Sequence, residues 1–474
     1  MSSERDDQVG RGDGKLGRRT FLTAAGATAL TVAAGAGAGG VARATGRSAD
    51  AIVIGAGFAG VTAARALRAA GRSVVLLEAR DRIGGRTWTG SFAGESIEYG
   101  GQWFSLRQHR AIAELNRYGI GLLPGGVAVP TSFYPTSSGP REIDAVAANN
   151  HLVSLIARLF EGSQQYFPQP LDPFARRDLL AAVDPLTLRD AVNRLGLSTQ
   201  DQLWLSGVTS IYSGGSSTTG GLTALAQWWA LGGHNQEGWD TLNAYRPVGG
   251  MRALIDAMLA ESQADLRLNS PVVSVIDDGR TVTVVTSNGT RFTAGAVVVA
   301  VPTNVWRTIY FAPGLPRAHS TATGQGIGVP TAFKIHLRLA PGVTTSAVGT
   351  EGQPFSWVIP QGQLAGGDQL AVAFSVDPTL PYNDRAAMEA RLNTVLPGAR
   401  ILDYRVTAWH RDAYARGGWA LRRPNQLTTI VEGLQQPHGR VTFAGGDIAL
   451  GWYGYVEGAM ETGSRAAEQV LRLL

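Results

Sequence analysis

The 474-residue chain contains no cysteine. This absence excludes disulfide bonds, thiolate catalysis, cysteine metal sites and thioether-linked cofactors. The seven histidines show no HExxH pattern and no other spacing typical of metal ligands, so we expect no metal. The sequence also lacks a GxSxG motif, which leaves a serine hydrolase without support.

A strong excess of charge is also missing. The chain has 42 basic and 37 acidic side chains, for a net charge of +5, and no run of basic residues is longer than two. This pattern is typical of an enzyme surface with scattered arginines, so we expect no nucleic-acid partner. The length is sufficient for a large core and suggests two or three domains.

The N-terminus combines two arginines with a soft apolar run. Arg18 and Arg19 precede Phe21, and residues 24–40 read AAGATALTVAAGAGAGG, before an A-x-A cleavage pattern that ends at Ala44. The run is poor in Leu, Ile and Phe, so it would anchor weakly in a membrane. Residues 1–44 resemble a twin-arginine signal peptide. We therefore expect export of a folded protein to the periplasm or outside the cell, with no membrane span in the mature chain.

A glycine-rich motif opens the mature chain. Residues 51–60 read AIVIGAGFAG, so a short apolar strand runs directly into a GxGxxG motif. A helical pattern follows, and a second apolar strand ends in Glu78, eighteen residues beyond Gly60. Strand, glycines, helix, strand and acid together predict a dinucleotide-binding α/β fold.

Each residue of this motif has a physical task. Gly55 permits the tight turn, Gly57 lets the backbone approach a pyrophosphate, and Gly60 lets the helix pack on the strand. The helix N-terminus offers free N–H groups and a positive dipole to phosphates. Glu78 can accept hydrogen bonds from an adenosine ribose.

A second glycine element distinguishes between dinucleotides. The stretch ARDRIGGRTWT follows Glu78, and its Gly84, Gly85 and Arg86 suit a phosphate contact. The stretch YGGQW then places two more glycines beside an aromatic residue over residues 99–103. Paired elements of this kind resemble the FAD-binding fold of the flavin amine oxidases, the monoamine oxidase family in its exported bacterial form, and not a nicotinamide dehydrogenase.

The resemblance covers nearly the whole mature chain. It implies an α/β fold with an FAD-binding Rossmann-like domain, a second α+β substrate domain, and FAD bound without a covalent link. The stretch over residues 269–302 fits this fold because it shows alternating strands with DG and NG turns. The predicted pieces are 49–127, 245–305 and 420–474 for the FAD domain, and a mostly helical 128–244 with a strand-rich 306–419 for the substrate domain.

The resemblance also implies further cofactor contacts. A backbone contact to the adenine is expected from Val272, and a contact to the ribityl chain or pyrophosphate is expected from Asp447 in VTFAGGD. Most family members carry Glu at the latter position, and Asp shortens the reach. The other residues implied to contact the cofactor are Ala59, Arg80, Gly101, Gln102, Trp103, Trp409 and Val456.

Lysine is nearly absent. Of the 42 basic residues only Lys15 and Lys334 are lysines, and Lys15 belongs to the predicted signal. Lys334 lies in TAFKIHLRL, whose alternation predicts a strand. A compact ammonium can hold one water, and burial shifts its pKa readily. The resemblance implies that Lys334 holds a water beside flavin N5 and assists reoxidation of the flavin.

Two aromatic residues match the family's aromatic cage. Trp419 follows Trp409 by ten residues and comes after a glycine pair, and Tyr455 lies in GYVEGA near the chain end. The resemblance implies that Trp419 and Tyr455 form two walls on the re face of the flavin, where they hold and orient an amine. The last helix is expected to begin near Tyr455, with Glu457 in its first turn.

The implied reaction is FAD-dependent oxidation of an amine to an imine, then to an aldehyde with ammonia, while dioxygen becomes hydrogen peroxide. A dehydrogenase that passes electrons to a partner protein stays open, as does a flavin protein without turnover. Self-association as a homodimer is also left open.

The substrate is less constrained. Related L-amino-acid oxidases grip the carboxylate with an arginine where this chain has Gln102, Trp103 and Phe104, with Arg107 later, which argues for an amine without a carboxylate. A polyamine would use acids such as Glu237 and Asp240, and a cyclic amine like that of the exported nicotine-type oxidases also stays open. The aromatics that suit an aryl-alkyl amine are Trp204, Tyr212, Trp228, Trp229 and Trp239.

Overall fold

Apolar and β-branched runs form nineteen strands in the computed structural model, which describes residues 48–474. The predicted signal, residues 1–44, lies outside this part of the chain. The strands are β1 (Ser48–Ile54), β2 (Val74–Leu77), β3 (Thr89–Phe92), β4 (Glu95–Glu98), β5 (Leu122–Pro124), β6 (Thr131–Thr136), β7 (Gly139–Asp144), β8 (Tyr245–Pro247), β9 (Asp265–Arg267), β10 (Val272–Asp277), β11 (Val282–Thr286), β12 (Arg291–Val299), β13 (Tyr310–Ala312), β14 (Phe333–Leu339), β15 (Ser346–Val348), β16 (Trp357–Gln363), β17 (Gln369–Ser375), β18 (Ile401–Ala408) and β19 (Val441–Phe443).

Thirteen α-helices fall in the same residues. They are α1 (Phe58–Ala69), α2 (His109–Arg117), α3 (Ala145–Leu159), α4 (Ser163–Tyr166), α5 (Arg177–Val183), α6 (Leu188–Arg194), α7 (Thr199–Tyr212), α8 (Leu222–Leu231), α9 (Gln236–Asp240), α10 (Gly250–Ser262), α11 (Arg317–Gln325), α12 (Arg385–Asn393) and α13 (Val456–Leu473). No helix within residues 48–474 has both the length and the apolar character needed to cross a membrane.

The first large sheet is built around β1. Its strand order is β13–β10–β11–β12–β1–β2–β9, and β19 also pairs with β12. β1 runs parallel to β2 and β12, with Ile54 opposite Leu77 and Val299. Burial on both faces explains why the second half of β1, Ala51 to Ile54, is continuously apolar. The predicted strands over 269–302 and at VTFAGGD are confirmed as β10–β12 and β19.

Helices α1 and α13 pack against each other through small residues. A Cβ placed on Gly463 of α13 would clash with the carbonyl oxygen of Ala59 in α1, and one on Gly60 would clash with the carbonyl oxygen of Gly55. The predicted role of Gly60 in helix packing agrees with this geometry. Both helices are therefore held close to the end of β1.

The second sheet has the order β18–β14–β17–β16–β15–β6–β7. β14 pairs antiparallel with β17 and β18, so Lys334 lies between Phe374 and Thr407. The predicted strand around Lys334 is confirmed. This sheet carries the polar side chain that reaches the site described below.

Two details differ from the predicted segments. The hairpin β6–β7 opens the stretch 128–244, which the sequence indicated as mostly helical. Pro135 and Pro140 face each other across this hairpin, and proline disfavours strands, so the pattern was hidden. In addition, β13 joins the first sheet although it follows residue 305. The division into an FAD domain and a substrate domain stays a prediction.

The α1–α13 contact yields a stability prediction. Gly463→Ala should lower the free energy of unfolding by about 1–3 kcal/mol, because the added methyl meets backbone that cannot move freely. Gly324→Ala, in α11 with open space around its Cβ, is the matched control and should raise it by about 0.5–1 kcal/mol. Urea denaturation of both variants measures the change. Equal effects in the two variants would contradict the close contact.

Candidate active site

A cavity of about 670 Å³ extends from the end of β1 to the face of the second sheet. Its glycine-rich part is lined by Gly55, Gly57, Gly84, Gly85, Gly445 and Gly446. Its aromatic part is lined by Trp103, Tyr212, Trp228, Trp357, Phe374, Trp419 and Tyr455. All the predicted site residues except Gly60 and Asp447 line this cavity.

The GxGxxG turn leaves an open cradle above α1. Gly55 has φ of +103°, a backbone conformation that favours glycine. Gly57 is the N-cap of α1 and no side chain caps the helix there. A Cβ on Gly57 would meet nothing nearer than backbone atoms of Gly84 and Gly85 at 3.9 Å. The free N–H groups of α1 therefore face a space that suits an anion.

Glu78 lies where the cavity passes the end of β2. Its carboxylate accepts hydrogen bonds from the backbone N–H of Ala56 at 2.8 Å and of Arg80 at 3.0 Å. Arg80 forms a further ion pair with Asp412. These bonds fix Glu78, which is 3% exposed, at the position expected for an acid that binds a ribose.

Helix α13 supplies a second uncapped N-terminus. Tyr455 is its N-cap, without a side-chain cap, and Val456 is its first residue, as predicted. Both residues line the cavity. Glu457 lies in the first turn, and its carboxylate accepts the N–H groups of Arg110 and Ala111 at the start of α2. Burial raises the pKa of Glu457, against these hydrogen bonds.

Arg86 and Asp447 bind each other. The guanidinium of Arg86 donates to Asp447 Oδ1 at 2.7 Å and to the carbonyl oxygen of Gly418 at 3.0 Å. Asp447 Oδ2 also accepts the backbone N–H of Thr303 at 3.1 Å. Asp447 lies behind the lining of the cavity, so its direct contact with a cofactor stays a prediction.

Lys334 points into the middle of the cavity. Its Nζ donates to the carbonyl oxygen of Gly100 at 2.8 Å and to Gln102 Oε1 at 2.7 Å, and it is 3% exposed. Gln102 in turn donates to Gln361 Oε1 at 3.0 Å. Burial lowers the pKa of Lys334 to about 7, although the Glu98 carboxylate opposes this shift. A protonated ammonium has three N–H groups, so one remains for a molecule in the cavity.

The aromatic part surrounds the predicted walls. Tyr455 contacts Trp228 edge to face, with ring centres 5.3 Å apart, and Asn243 lines the cavity with them. Trp419 contacts Phe374 edge to face at 6.2 Å. Because these rings are held by neighbours, the two walls have fixed orientations before any ligand binds.

Trp409 and the glycines beside it form the wall between the two parts. Trp409 Nε1 donates to the carbonyl oxygen of Tyr99 at 2.8 Å. A Cβ on Gly100 would come within 2.8 Å of the Trp409 ring, so only glycine fits between them. Gly101 and Val272 line the same cavity, and their contacts with a cofactor stay predictions.

The comparisons with known proteins agree with this geometry. A family model described as flavin containing amine oxidoreductase matches residues 58–471. The chain belongs to this family. It is 33% identical over 436 residues to pseudooxynicotine dehydrogenase from a Pseudomonas species, over 90% of this chain and 86% of that protein. It is 32% identical over 431 residues to nicotine dehydrogenase of Pseudomonas putida, over 90% and 89% of the two chains.

A solved structure has the same fold. The structure of putrescine oxidase bound to putrescine matches 90% of this chain and 99% of its own, with a TM-score of 0.77 at 24% identity. The predicted family and α/β fold class are confirmed, and this amine oxidoreductase uses FAD.

The residues present fit that cofactor. The open cradle at Gly57, the uncapped starts of α1 and α13, and the buried Glu78 are the features that a pyrophosphate and a ribose require. Within the described part of the chain, no histidine lines the cavity and no three acids or histidines group as metal ligands.

Sequence reasoning missed several lining residues. Trp357 and Phe374 come from β16 and β17 of the second sheet, and Asn243 from the loop before β8. Of the aromatics noted in the helical segment, Tyr212 and Trp228 line the cavity, whereas Trp204, Trp229 and Trp239 do not. Strand alternation could have indicated Phe374, but no local signal indicates Asn243.

The absence of histidine and cysteine from the lining predicts how FAD is released. Acid precipitation of the purified protein should leave all the FAD in the supernatant, because no nucleophilic side chain of either kind reaches it. The absorbance spectra of supernatant and redissolved pellet measure this. A pellet that stays yellow would contradict non-covalent binding.

Proposed function

We propose that this chain oxidises the carbon next to nitrogen in an amine without a carboxylate, with dioxygen as the electron acceptor. One observation carries the proposal. A single cavity joins an anion cradle to a buried lysine, Lys334, and to the two aromatic walls Trp419 and Tyr455.

The reaction needs little from the side chains beyond position and polarity. FAD, held by the cradle at Gly57 and the start of α13, would supply a hydride acceptor for the carbon, and dioxygen would take up the two electrons with two protons as hydrogen peroxide. The amine also loses a proton from nitrogen, and the resulting imine is hydrolysed by water to a carbonyl compound and ammonia or a smaller amine. The residues of this chain hold the amine, exclude bulk water and keep the amine uncharged.

The walls suit this task. Trp419 and Tyr455 both line the aromatic part of the cavity, where their rings would contact and orient a neutral amine. The only carboxylate in the lining of the described cavity is Glu78, at the ribose end. An ammonium would therefore find no counter-ion beside the walls, and burial favours the neutral amine.

The charges of the lining narrow the substrate class. Glu237 and Asp240, the acids considered for a polyamine, do not line the cavity, and Arg107 does not reach it. The cation beside the aromatic part is Lys334, and its Nζ already donates to the carbonyl oxygen of Gly100 and to Gln102, so an amino acid would have no arginine for its carboxylate there. We therefore propose an amine with an apolar aromatic or cyclic body, in line with the nicotine-related names of two relatives.

The electron acceptor has two candidates. The third N–H of Lys334 can hold a water or polarise dioxygen, which supports an oxidase. The two relatives named as dehydrogenases support transfer to a partner protein. The oxygen reaction of the reduced enzyme separates these candidates.

The wall proposal predicts a selective loss of turnover. Tyr455→Ala should lower amine turnover about tenfold, because the neutral amine loses one of the two walls that orient it, while FAD stays bound. Tyr310→Ala, on an exposed tyrosine of β13, is the control. A dye-coupled assay across monoamines, polyamines, amino acids and cyclic amines measures turnover with any natural acceptor. Full activity of Tyr455→Ala would reject the walls, and no amine turnover by the unmodified enzyme would reject the function.

The buried lysine predicts a pH dependence. Because the pKa of Lys334 is about 7, its ammonium is present below pH 7 and lost as the pH rises above it. If the cation assists reoxidation, the rate with oxygen should fall through this range in the unmodified enzyme. In Lys334→Met it should be slower by on the order of 10²-fold and flat with pH.

Stopped-flow mixing of the reduced enzyme with oxygenated buffer measures both rates. An unchanged oxygen rate in Lys334→Met would refute the role of the lysine. Slow oxygen reaction of the unmodified enzyme, with fast transfer to a redox protein, would favour the dehydrogenase.

A further inference from the structure

Arg422 is a buried cation, 1% exposed. Burial lowers its pKa, and Tyr453 and the buried carboxylate of Asp184 oppose this shift without a direct ion pair between Asp184 and Arg422 among the described residues. Its Nη2 donates to Gln227 Oε1, but Nε and Nη1 have no hydrogen-bond partner within residues 48–474. Two unsatisfied buried donors cost about 1–3 kcal/mol each, so an apolar side chain of this size would be less costly for folding.

Its contacts lead directly to a wall of the cavity. The guanidinium carbon lies 3.9 Å from the ring centre of Tyr453. Tyr453 stacks on Trp228 with ring centres 5.3 Å apart and an angle of 28°. Trp228 meets Tyr455 edge to face at 5.3 Å. Three successive contacts therefore connect the cation to the ring of Tyr455.

The partner of Arg422 holds the same turn. Gln227 Nε2 donates to the carbonyl oxygens of Pro170 at 2.7 Å and Leu450 at 2.6 Å. Trp228 Nε1 donates to the carbonyl oxygen of Tyr453 at 3.1 Å. The turn that ends at Tyr455 is thus fixed from α8, and its position depends on how Gln227 is oriented.

The other wall lies on the segment that carries Arg422. Trp419 precedes Arg422 by three residues, and the carbonyl oxygen of Arg422 accepts the N–H of Gly221 at the start of α8. The side chain of Arg422 reaches the turn of Tyr455 while its backbone belongs to the strand-like segment of Trp419.

We propose that Arg422 is a positioning residue that sets the spacing and angle of the walls Trp419 and Tyr455 through its stack on Tyr453 and its bond to Gln227. The inference rests on the proposed function, because the walls have a task only if an amine binds between them. A planar guanidinium can stack on a ring and donate sideways at once, whereas an ammonium or a thioether cannot do both. Arg422 then has a role at the site, the positioning of the two walls, that an apolar side chain with a lower folding cost would not fill.

The test uses the FAD-loaded enzyme and three variants. Arg422→Met keeps the length and removes charge and donors, Arg422→Lys keeps the charge and removes the planar stack, and Arg423→Met is the control. Arg423 is the neighbouring, partly buried arginine, and its Nε donates to the carbonyl oxygen of Gln325, away from the walls. Anaerobic stopped flow gives the rate of flavin reduction by amine, and mixing with oxygen gives the rate of reoxidation.

Both Arg422 variants should reduce FAD with amine about tenfold or more slowly, since misplacement of the walls by a fraction of an ångström affects orientation. Reoxidation should stay within about twofold, and Arg423→Met should match the unmodified enzyme in both rates. If the rates of flavin reduction and reoxidation and the FAD content all fall together in the Arg422 variants, Arg422 acts on the stability of the whole fold, and the proposal is overturned. Unchanged reduction in Arg422→Met would overturn it as well.

Two further measurements do not depend on turnover. Near-ultraviolet circular dichroism of the apoprotein should change in Arg422→Met but not in Arg423→Met, because the Tyr453–Trp228 stack loses its support. Gln227→Met, alone and combined with Arg422→Met, should alter the same spectrum, and the double variant should show no larger spectral change than either single variant. An unchanged spectrum in Arg422→Met, or spectral changes that add in the double variant, would overturn the positioning role even if no amine proves to be a substrate. Failure of the proposed function alone would leave the spectral result intact.

Should Arg422→Met fail to fold, Arg422→Lys and Gln227→Met decide the same question. The rates of flavin reduction and of reoxidation in those two variants are then compared with the rates in Arg423→Met.

Discussion

The close approach of backbone to backbone at the end of β1 is the constraint on which the site depends. Gly60 touches the carbonyl of Gly55, and Gly463, about two turns inside α13, touches the carbonyl of Ala59 at the start of α1. The N-terminal residues of both helices line the cavity. Each helix start is uncapped and carries roughly half a positive charge. Two partial charges directed at one cavity favour an anionic cofactor there, and the glycines are the residues that allow it.

Two buried cations are tied to this site, Lys334 in the lining of the cavity and Arg422 outside it, and their charges are compensated differently. Lys334 is held by a carbonyl, an amide and the distant Glu98, so its ammonium is only marginally stable near neutral pH. Arg422 cannot lose its proton under ordinary conditions, and it is held by an amide and an aromatic face. Lys334 is thereby suited to gain or lose its proton as its surroundings change, and Arg422 is suited to hold neighbouring side chains in a fixed geometry.

The local parts of the fold could be predicted from the sequence because their signals are local. The run from Ala51 to Glu78 shows strand, glycines, helix, strand and acid within one short window, and the alternation around Lys334 shows its strand. The hairpin β6–β7 was hidden because prolines mask its alternation, and it is stabilised by pairing with β15, some 200 residues later. Pairing of this range leaves no mark on the local pattern.

The site shows the same division between local and distant signals. The residues that bind through backbone or through a fixed motif, such as Gly57 and Glu78, could be recognised by position. Asn243, Gln227 and Arg422 could not, because their tasks arise only when α8, the turn after β19 and the segment after Trp419 meet.

The two ends of the cavity differ in how freely their geometry can change. The cofactor end is set by glycines, whose replacement would clash with backbone, so its geometry has little freedom to vary. The aromatic end is set by side chains that lean on other side chains, as Tyr455 leans on Trp228, Trp228 on Tyr453, and Tyr453 on Arg422. A change in any member of that series moves a wall without touching the cradle, so the amine that fits can change while the binding of FAD is retained.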